Sequence, residues 1–242
     1  MKRRALIAGL GLLPFVTAAA HADDDWHARV VIGGFDGADF WAGLVVTLGE
    51  GWKTYWRVPG EAGIPPQIKV SGGDVTSCEV LYPLPERIVD DSGEAIGYHR
   101  TVMFPLRITT AKTSTSIAGN VSAFFGVCQQ ICKPAKFEGT LDGAWDEADF
   151  IRKWRDMVPA AGNFITGVSQ KKDVLTLKLS QQVDDIFIEG PEGLYFRKPS
   201  VSGSIAQVKI DGLAAGQKLK GSQLKFTAAM HGKGLEQSAA VA

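Results

Sequence analysis

Much of the chain is written in short alternating runs. Within Trp41–Leu48, Ala42, Leu44, Val46 and Leu48 repeat at period two, and Val45 among them predicts a strand buried on both faces. Phe104, Leu106 and Ile108 alternate with Pro105, Arg107 and Thr109. Val121, Ala123, Phe125 and Val127 alternate with Ser122, Phe124 and Gly126, and this run leads straight into Cys128. Several such runs, punctuated by Gly, Pro and Asp, predict antiparallel sandwiches and not an α/β sheet. One helical pattern interrupts them. Over Asp146–Val158, Phe150, Ile151, Trp154 and Val158 share a face, acidic residues fill the first turn and Pro159 follows. After a linker at 159–162 the strands resume at Leu175–Leu179, Ile186–Ile188, Ala206–Ile210 and Leu224–Phe226. Between Ile188 and Leu194, the stretch Glu189-Gly190-Pro191-Glu192-Gly193 predicts a hairpin turn. The expected organisation is all-β: a sandwich over 23–143, a helix and linker over 144–162, a second small β-sandwich over 163–231 and a flexible tail over 232–242.

The first 22 residues fall outside that pattern. Lys2, Arg3 and Arg4 precede an apolar run from Ala5 to Ala19, and Ala20-His21-Ala22 has the small-x-small form of a cleavage site. This is the layout of a secretory signal peptide, with cutting expected after Ala22 and a periplasmic location for the mature chain. The apolar run is short for a bilayer span of about 20 residues. Losing three basic residues takes the formal charge from 0 to −3. No basic stripe remains for nucleic acid, and no later apolar stretch is long enough for stable membrane insertion.

Three cysteines, Cys78, Cys128 and Cys132, then sit in an oxidising compartment, and an odd count leaves one thiol over. Three residues separate Cys128 from Cys132, few enough for a tight turn between strand ends to bring them within bonding range. So small a loop restrains little unfolded-state entropy, which weakens a purely structural reading and suits exchange. No helix N-terminus is expected at Cys128, so only the charge of Lys133 is at hand to acidify a thiol. The alternative is a non-catalytic binding module of the copper-tolerance kind, whose two thiols hold Cu(I), with Met103 as a further ligand, or form a structural bridge. Cys78, in Ser77-Cys78-Glu79-Val80-Leu81, reads as a buried, inert residue of a strand-like stretch. His27, His99 and His231 lack metal-ligand spacing, no hydrolase motif is present, and no cofactor is expected.

The segments Gly51-Trp52-Lys53-Thr54-Tyr55-Trp56-Arg57-Val58-Pro59-Gly60, Gly63-Ile64-Pro65-Pro66, Tyr82-Pro83-Leu84-Pro85-Glu86-Arg87 and Gly97-Tyr98-His99-Arg100-Thr101-Val102-Met103-Phe104-Pro105-Leu106 occur in that order. Together they resemble the N-terminal periplasmic domain of the DsbD/ScsB family. Val127-Cys128 through Ile131-Cys132-Lys133-Pro134 falls where that family carries its redox cysteines, and Phe187–Leu194 resembles the second β module of ScsB-type members. The resemblance implies an immunoglobulin-like thiol–disulfide domain with Cys128 and Cys132 as the exchanging pair and Cys132 as the sulfur for outgoing transfer. It implies a cap over the pair at about Val89–Ile96, including Asp90 and Asp91, and lining by Tyr55 and Tyr98. Core packing accounts for Trp52, Tyr55 and Trp56 equally well. The implied partners are a membrane-embedded or thioredoxin-like electron donor in trans and periplasmic protein disulfides as substrates. In two respects the sequence departs from the family. It carries no electron-transfer segments of its own, and its cap stretch lacks aromatic residues.

Overall fold

The computed structural model describes residues 25–61, 63–90, 93–111 and 117–242. The predicted signal segment and Asp91 lie outside the described residues. Two sheets form the first sandwich. One runs in the order β1 (Trp26–Asp36), β2 (Asp39–Leu48), β8 (Thr101–Thr110) and β5 (Val75–Val80). The other runs β10 (Cys132–Thr140), β9 (Asn120–Cys128), β3 (Lys53–Gly60), β7 (Gly93–His99) and β6 (Glu86–Asp90), with β4 (Gln67–Ser71) also paired to β9. Helix α1 (Ala148–Arg155) follows.

The period-two pattern decides which side chains meet. Phe40, Ala42, Leu44 and Val46 of β2 share one core cluster with Phe104, Leu106 and Ile108 of β8 and Val121, Phe125 and Val127 of β9. The other face of β2 is buried too, as Val45 predicts. Trp41, Val45 and Met103 pack there against Ile151 of α1. The amphipathic helix thus covers the outer face of the first sheet, which is why a strand with no polar face is stable.

A second pair of sheets has its own core. One contains β11 (Ala160–Ala161), β19 (Lys233–Ala240), β18 (Gln223–Met230) and β14 (Asp185–Glu189). The other contains β12 (Ile165–Lys171), β13 (Val174–Leu179), β17 (Ile205–Asp211) and β15 (Tyr195–Phe196), with β16 (Ser200–Ser202) on β17. Leu175, Leu177, Val208, Leu224 and Phe226 lie among its buried residues.

Two expectations are corrected here. The stretch 232–242 is not a flexible tail: β19 pairs with β18 from Met230↔Lys233 to Gln223↔Ala240, and Val241 is buried. His231 and Gly232 both take positive φ, the geometry of a two-residue hairpin turn whose twist matches the strands. The polar residues that make this segment read as a tail have partners. Gln237 Oε1 accepts from the backbone N–H of Phe164 and Ile165 at 2.7 and 2.8 Å. Nor do the strands around Glu189–Gly193 form a hairpin. β14 pairs with β18 and β15 with β17, so the turn carries the chain from one sheet to the other. Ile186, Phe187, Ile188, Tyr195 and Phe196 are all buried, as strands sandwiched between layers require.

The two sandwiches are joined by apolar and ionic contacts. Phe187 of β14 belongs to the first sandwich's core, with its ring 5.9 Å from that of Trp56. Arg57 of β3 pairs with Glu189 at 2.6 Å and with Glu236, which also takes Lys225 at 2.8 Å. Arg87 of β6, 4% exposed, donates Nε to Asp185 Oδ2 at 2.8 Å and Nη2 to Asp185 Oδ1 and the Ile186 carbonyl, both at 3.2 Å. It also pairs with Glu94 of β7, which accepts the Tyr195 hydroxyl at 2.6 Å. The β6–β7 hairpin is therefore gripped by the second sandwich.

Candidate functional site

Cys128 ends β9 and Cys132 begins β10, and the two are direct partners in the antiparallel ladder. Their Cα atoms are 4.1 Å apart and the sulfurs form a disulfide. The parity of β9 decides where the pair sits. Val121, Ala123, Phe125 and Val127 point into the core, so Gly126 and Cys128 point to the outer face of the sheet.

The two sulfurs are not equivalent. Cys128 is fully buried, clustered with Tyr55, Ile88 and Ala95. Cys132 is exposed, and Ile131 beside it is 75% exposed. Cys132 is therefore the cysteine open to a thiolate from solution, with Cys128 as the leaving group, whereas the burial of Cys128 closes it to direct attack.

Tyr55 stands on the same outer face, two strand positions from Lys53. Its Oη lies 2.9 Å from Cys132 Sγ. The ring occupies a slot that glycines leave open: a Cβ at Gly126 would come within 2.9 Å of it and one at Gly63 within 2.5 Å. Burial pushes the Tyr55 hydroxyl above its ordinary range and the Asp90 carboxylate adds to this, so the O–H stays protonated as a donor toward sulfur.

Asp90, at the end of β6, accepts from Lys53 Nζ at 2.6 Å. The Lys53 side chain is 2% exposed, so the cap hairpin is tied to the sheet by an ion pair with a buried cation. Ile88 and Ala95, from the two strands of that hairpin, provide the wall over Cys128. The shield is thus aliphatic and ionic, without an aromatic residue in either position.

Tyr98 does not line the site. It is the register partner of Thr54, not of Tyr55, so its side chain points inward. There it packs on Phe104, with its hydroxyl donating to the Pro83 carbonyl at 2.8 Å. Lys133 also departs from expectation, since it is exposed, lies 2.5 Å from Asp25 and sits over the Trp52 ring. Met103 is in the cluster under α1, on the other sheet from the cysteines. Cys78 lies on β5 opposite Ile108, unbridged, with its thiol pushed up to about 11 chiefly by burial and further by Glu79. Lys53 is the site residue that sequence reasoning missed. Its signal is a lysine two positions from Tyr55 in the otherwise apolar and aromatic run Trp52–Trp56.

A hairpin-end disulfide with one exposed and one buried cysteine on a two-sheet sandwich is open to thiol–disulfide exchange from one side. Residues 24–141 match the family described as "Thiol:disulfide interchange protein DsbD, N-terminal". The match covers 118 of the 242 residues, the first sandwich from β1 to β10. Among solved structures, the N-terminal periplasmic domain of ScsB from Proteus mirabilis matches with a TM-score of 0.75 at 24% identity, over 90% of this chain and 94% of that one. The fold, second sandwich included, is shared with that domain. The Neisseria meningitidis DsbD N-terminal domain in the reduced form matches at 13% identity over 48% of this chain and 84% of that one, with a TM-score of 0.29. Nothing here rests on that second match. A comparison with curated protein sequences found no match. Among the described residues no helix is long and apolar enough to cross a membrane.

Proposed function

We propose that this chain is a periplasmic electron relay that exchanges two electrons through Cys128 and Cys132. The observation that carries this reading is the unequal exposure of the two sulfurs. The thiolate of a dithiol partner attacks Cys132 Sγ. A partner–Cys132 disulfide forms, the Cys128–Cys132 bond breaks, and its electron pair leaves on Cys128 Sγ. The partner's second thiolate then attacks its own bonded sulfur and releases Cys132, so the partner is oxidised to a disulfide and this pair is reduced. In the onward step the Cys132 thiolate, with the Tyr55 hydroxyl donating to it, attacks a periplasmic protein disulfide. Cys128 resolves the mixed disulfide and returns the pair to the oxidised state. The donor is proposed to be a membrane-embedded or thioredoxin-like dithiol protein acting in trans, which the placement of Cys132 on an open surface supports. The signal-like sequence of the first 22 residues supports export.

The test is the reduction potential of the pair, from equilibration in glutathione or dithiothreitol buffers with trapping of free thiols. A value roughly between −120 and −270 mV is expected for exchange. A bridge below about −300 mV would refute the relay and leave a structural disulfide. In parallel, Cys128→Ser should trap partners on Cys132 as stable mixed disulfides, whereas Cys132→Ser should trap few.

A further inference from the structure

Opening the disulfide creates a charge problem that Lys53 is placed to solve. The leaving thiolate forms on Cys128, a sulfur with no solvent exposure, and an unpaired buried charge is costly. Lys53 is the direct register partner of Cys128 on the neighbouring strand. Cross-strand partners share a sheet face with Cβ atoms about 5 Å apart, within reach of a lysine side chain. The same position is also the register partner of His99 on β7, so Lys53 sits between the cysteine strand and the cap hairpin.

The other charged and titratable groups on this face have employment of their own. His99 Nδ1 lies 3.2 Å from the Trp52 carbonyl, and Glu86 of β6 accepts from the His99 backbone N–H at 3.2 Å. Tyr55 addresses Cys132, and Lys133 of β10 is exposed and engaged by Asp25. Lys53 is thus the buried cation in register with the buried sulfur, and it binds a carboxylate, Asp90, that is partly open to solvent.

We infer that Lys53 is a switched counter-ion. It holds Asp90 of the cap hairpin while the disulfide is closed, and it turns to Cys128 when the bond opens and negative charge arrives there. Asp90 can give up its partner because water reaches it, whereas the Cys128 thiolate has no such recourse. Reduction of the pair and release of the cap hairpin then become one event, with the same ammonium serving both. Lys53 acts here as a positioning charge within the relay proposed above, and the inference rests on that relay.

The test exploits the opposite roles of the two partners. The equilibrium constant for reduction by glutathione is measured at pH 7 on the whole chain for Lys53→Met, Lys53→Arg and Asp90→Asn. Lys53→Met removes the charge that favours the reduced form, and the constant should fall about tenfold, a potential roughly 30 mV more negative. Asp90→Asn removes the competitor, and the constant should rise about tenfold. Lys53→Arg should stay within about threefold of the unsubstituted chain, since the charge is kept. A simple latch would loosen the hairpin in both neutralising variants and shift them in the same direction. That result, or no shift in either, would overturn the inference. If Lys53→Met does not fold, Lys53→Gln takes its place under the same criterion, and a fall or no change in Asp90→Asn overturns the inference by itself. An unsubstituted pair that resists reduction refutes the relay itself. A pair in the exchange range with unmoved variants removes only the role of Lys53.

Discussion

Replacing Arg87 by Met should both weaken the protein and unmask its disulfide. The substitution keeps an apolar stem of similar length while deleting the guanidinium. The guanidinium donates four hydrogen bonds, two to Asp185 and one each to Glu94 and the Ile186 carbonyl. Removing one partner of a buried pair typically costs about 3–5 kcal/mol, because the other charge is left stranded. The low end applies here. Asp185 still accepts the Ile186 N–H, Glu94 still accepts the Tyr195 hydroxyl, and at 13% and 16% exposure both carboxylates meet some water. The contact of the guanidinium with the Phe187 ring, 5.3 Å to the centroid, is lost as well. About 3 kcal/mol follows, or roughly 6–12 °C in Tm for a chain of this size. Urea unfolding and a thermal melt measure it. The same hairpin supplies Ile88 and Ala95 over Cys128, so reduction by dithiothreitol should also speed up several-fold in the folded variant. A loss below about 1 kcal/mol would equate the network with an ordinary surface pair and refute the energetic argument. A full stability loss with an unchanged reduction rate would refute the idea that the second sandwich holds the hairpin over the site.

Other outcomes follow from the same contacts. Phe187→Ala should cost about 3–5 kcal/mol in denaturant unfolding and split the transition, because this side chain of the second sandwich fills the first core. Tyr55→Phe should slow mixed-disulfide formation by reduced protein about tenfold in stopped-flow assays, since it removes the donor 2.9 Å from Cys132 Sγ while leaving the ring in its slot. Burial acts to raise the carboxyl of Glu236, but Lys225 and Arg57 outweigh it and hold the group below its ordinary 4.5. Its contribution is therefore full above about pH 4.5 and is lost as pH falls through the lowered value, so urea midpoints should drop in acid, and less steeply in Glu236→Gln. Cys78, with its thiol pushed up to about 11, should alkylate with iodoacetamide at pH 8 far more slowly than Cys132 in reduced protein.

The sandwich and the address of the cysteines were legible because strands announce themselves by parity. Counting along Val121–Val127 puts Cys128 on the face opposite the core, and the register confirms it. Val45 announced a second covered face, and α1 covers it. Parity within one strand says nothing of how strands align, however. Tyr55 and Tyr98 look alike in sequence, yet the pairing of Tyr98 with Thr54 sends the two rings to opposite faces. Lys53 was overlooked because its meaning depends on Cys128, a partner 75 positions later that only the β3–β9 register brings alongside. The closing strand β19 was misread for a similar reason. Glu236 and Gln237 look like solvated tail residues until Arg57 and the β12 backbone supply their partners.

The reach of the Arg57 cluster has a consequence for the order in which the chain folds. Arg57 is paired with Glu236, 179 positions later. Contacts of that reach form late, because the intervening chain has to be closed into a loop before they can be made. Until they form, the cysteine-bearing sandwich has a bare guanidinium and an open core end beside Trp56, awaiting Phe187 and then β19. A chain cleaved between the two sandwiches keeps that open end, with apolar surface that Phe187 covers in the intact fold. The docking of β19 therefore finishes two units at once, because the redox-bearing half is fully packed and paired only when a strand far along the chain has reached it.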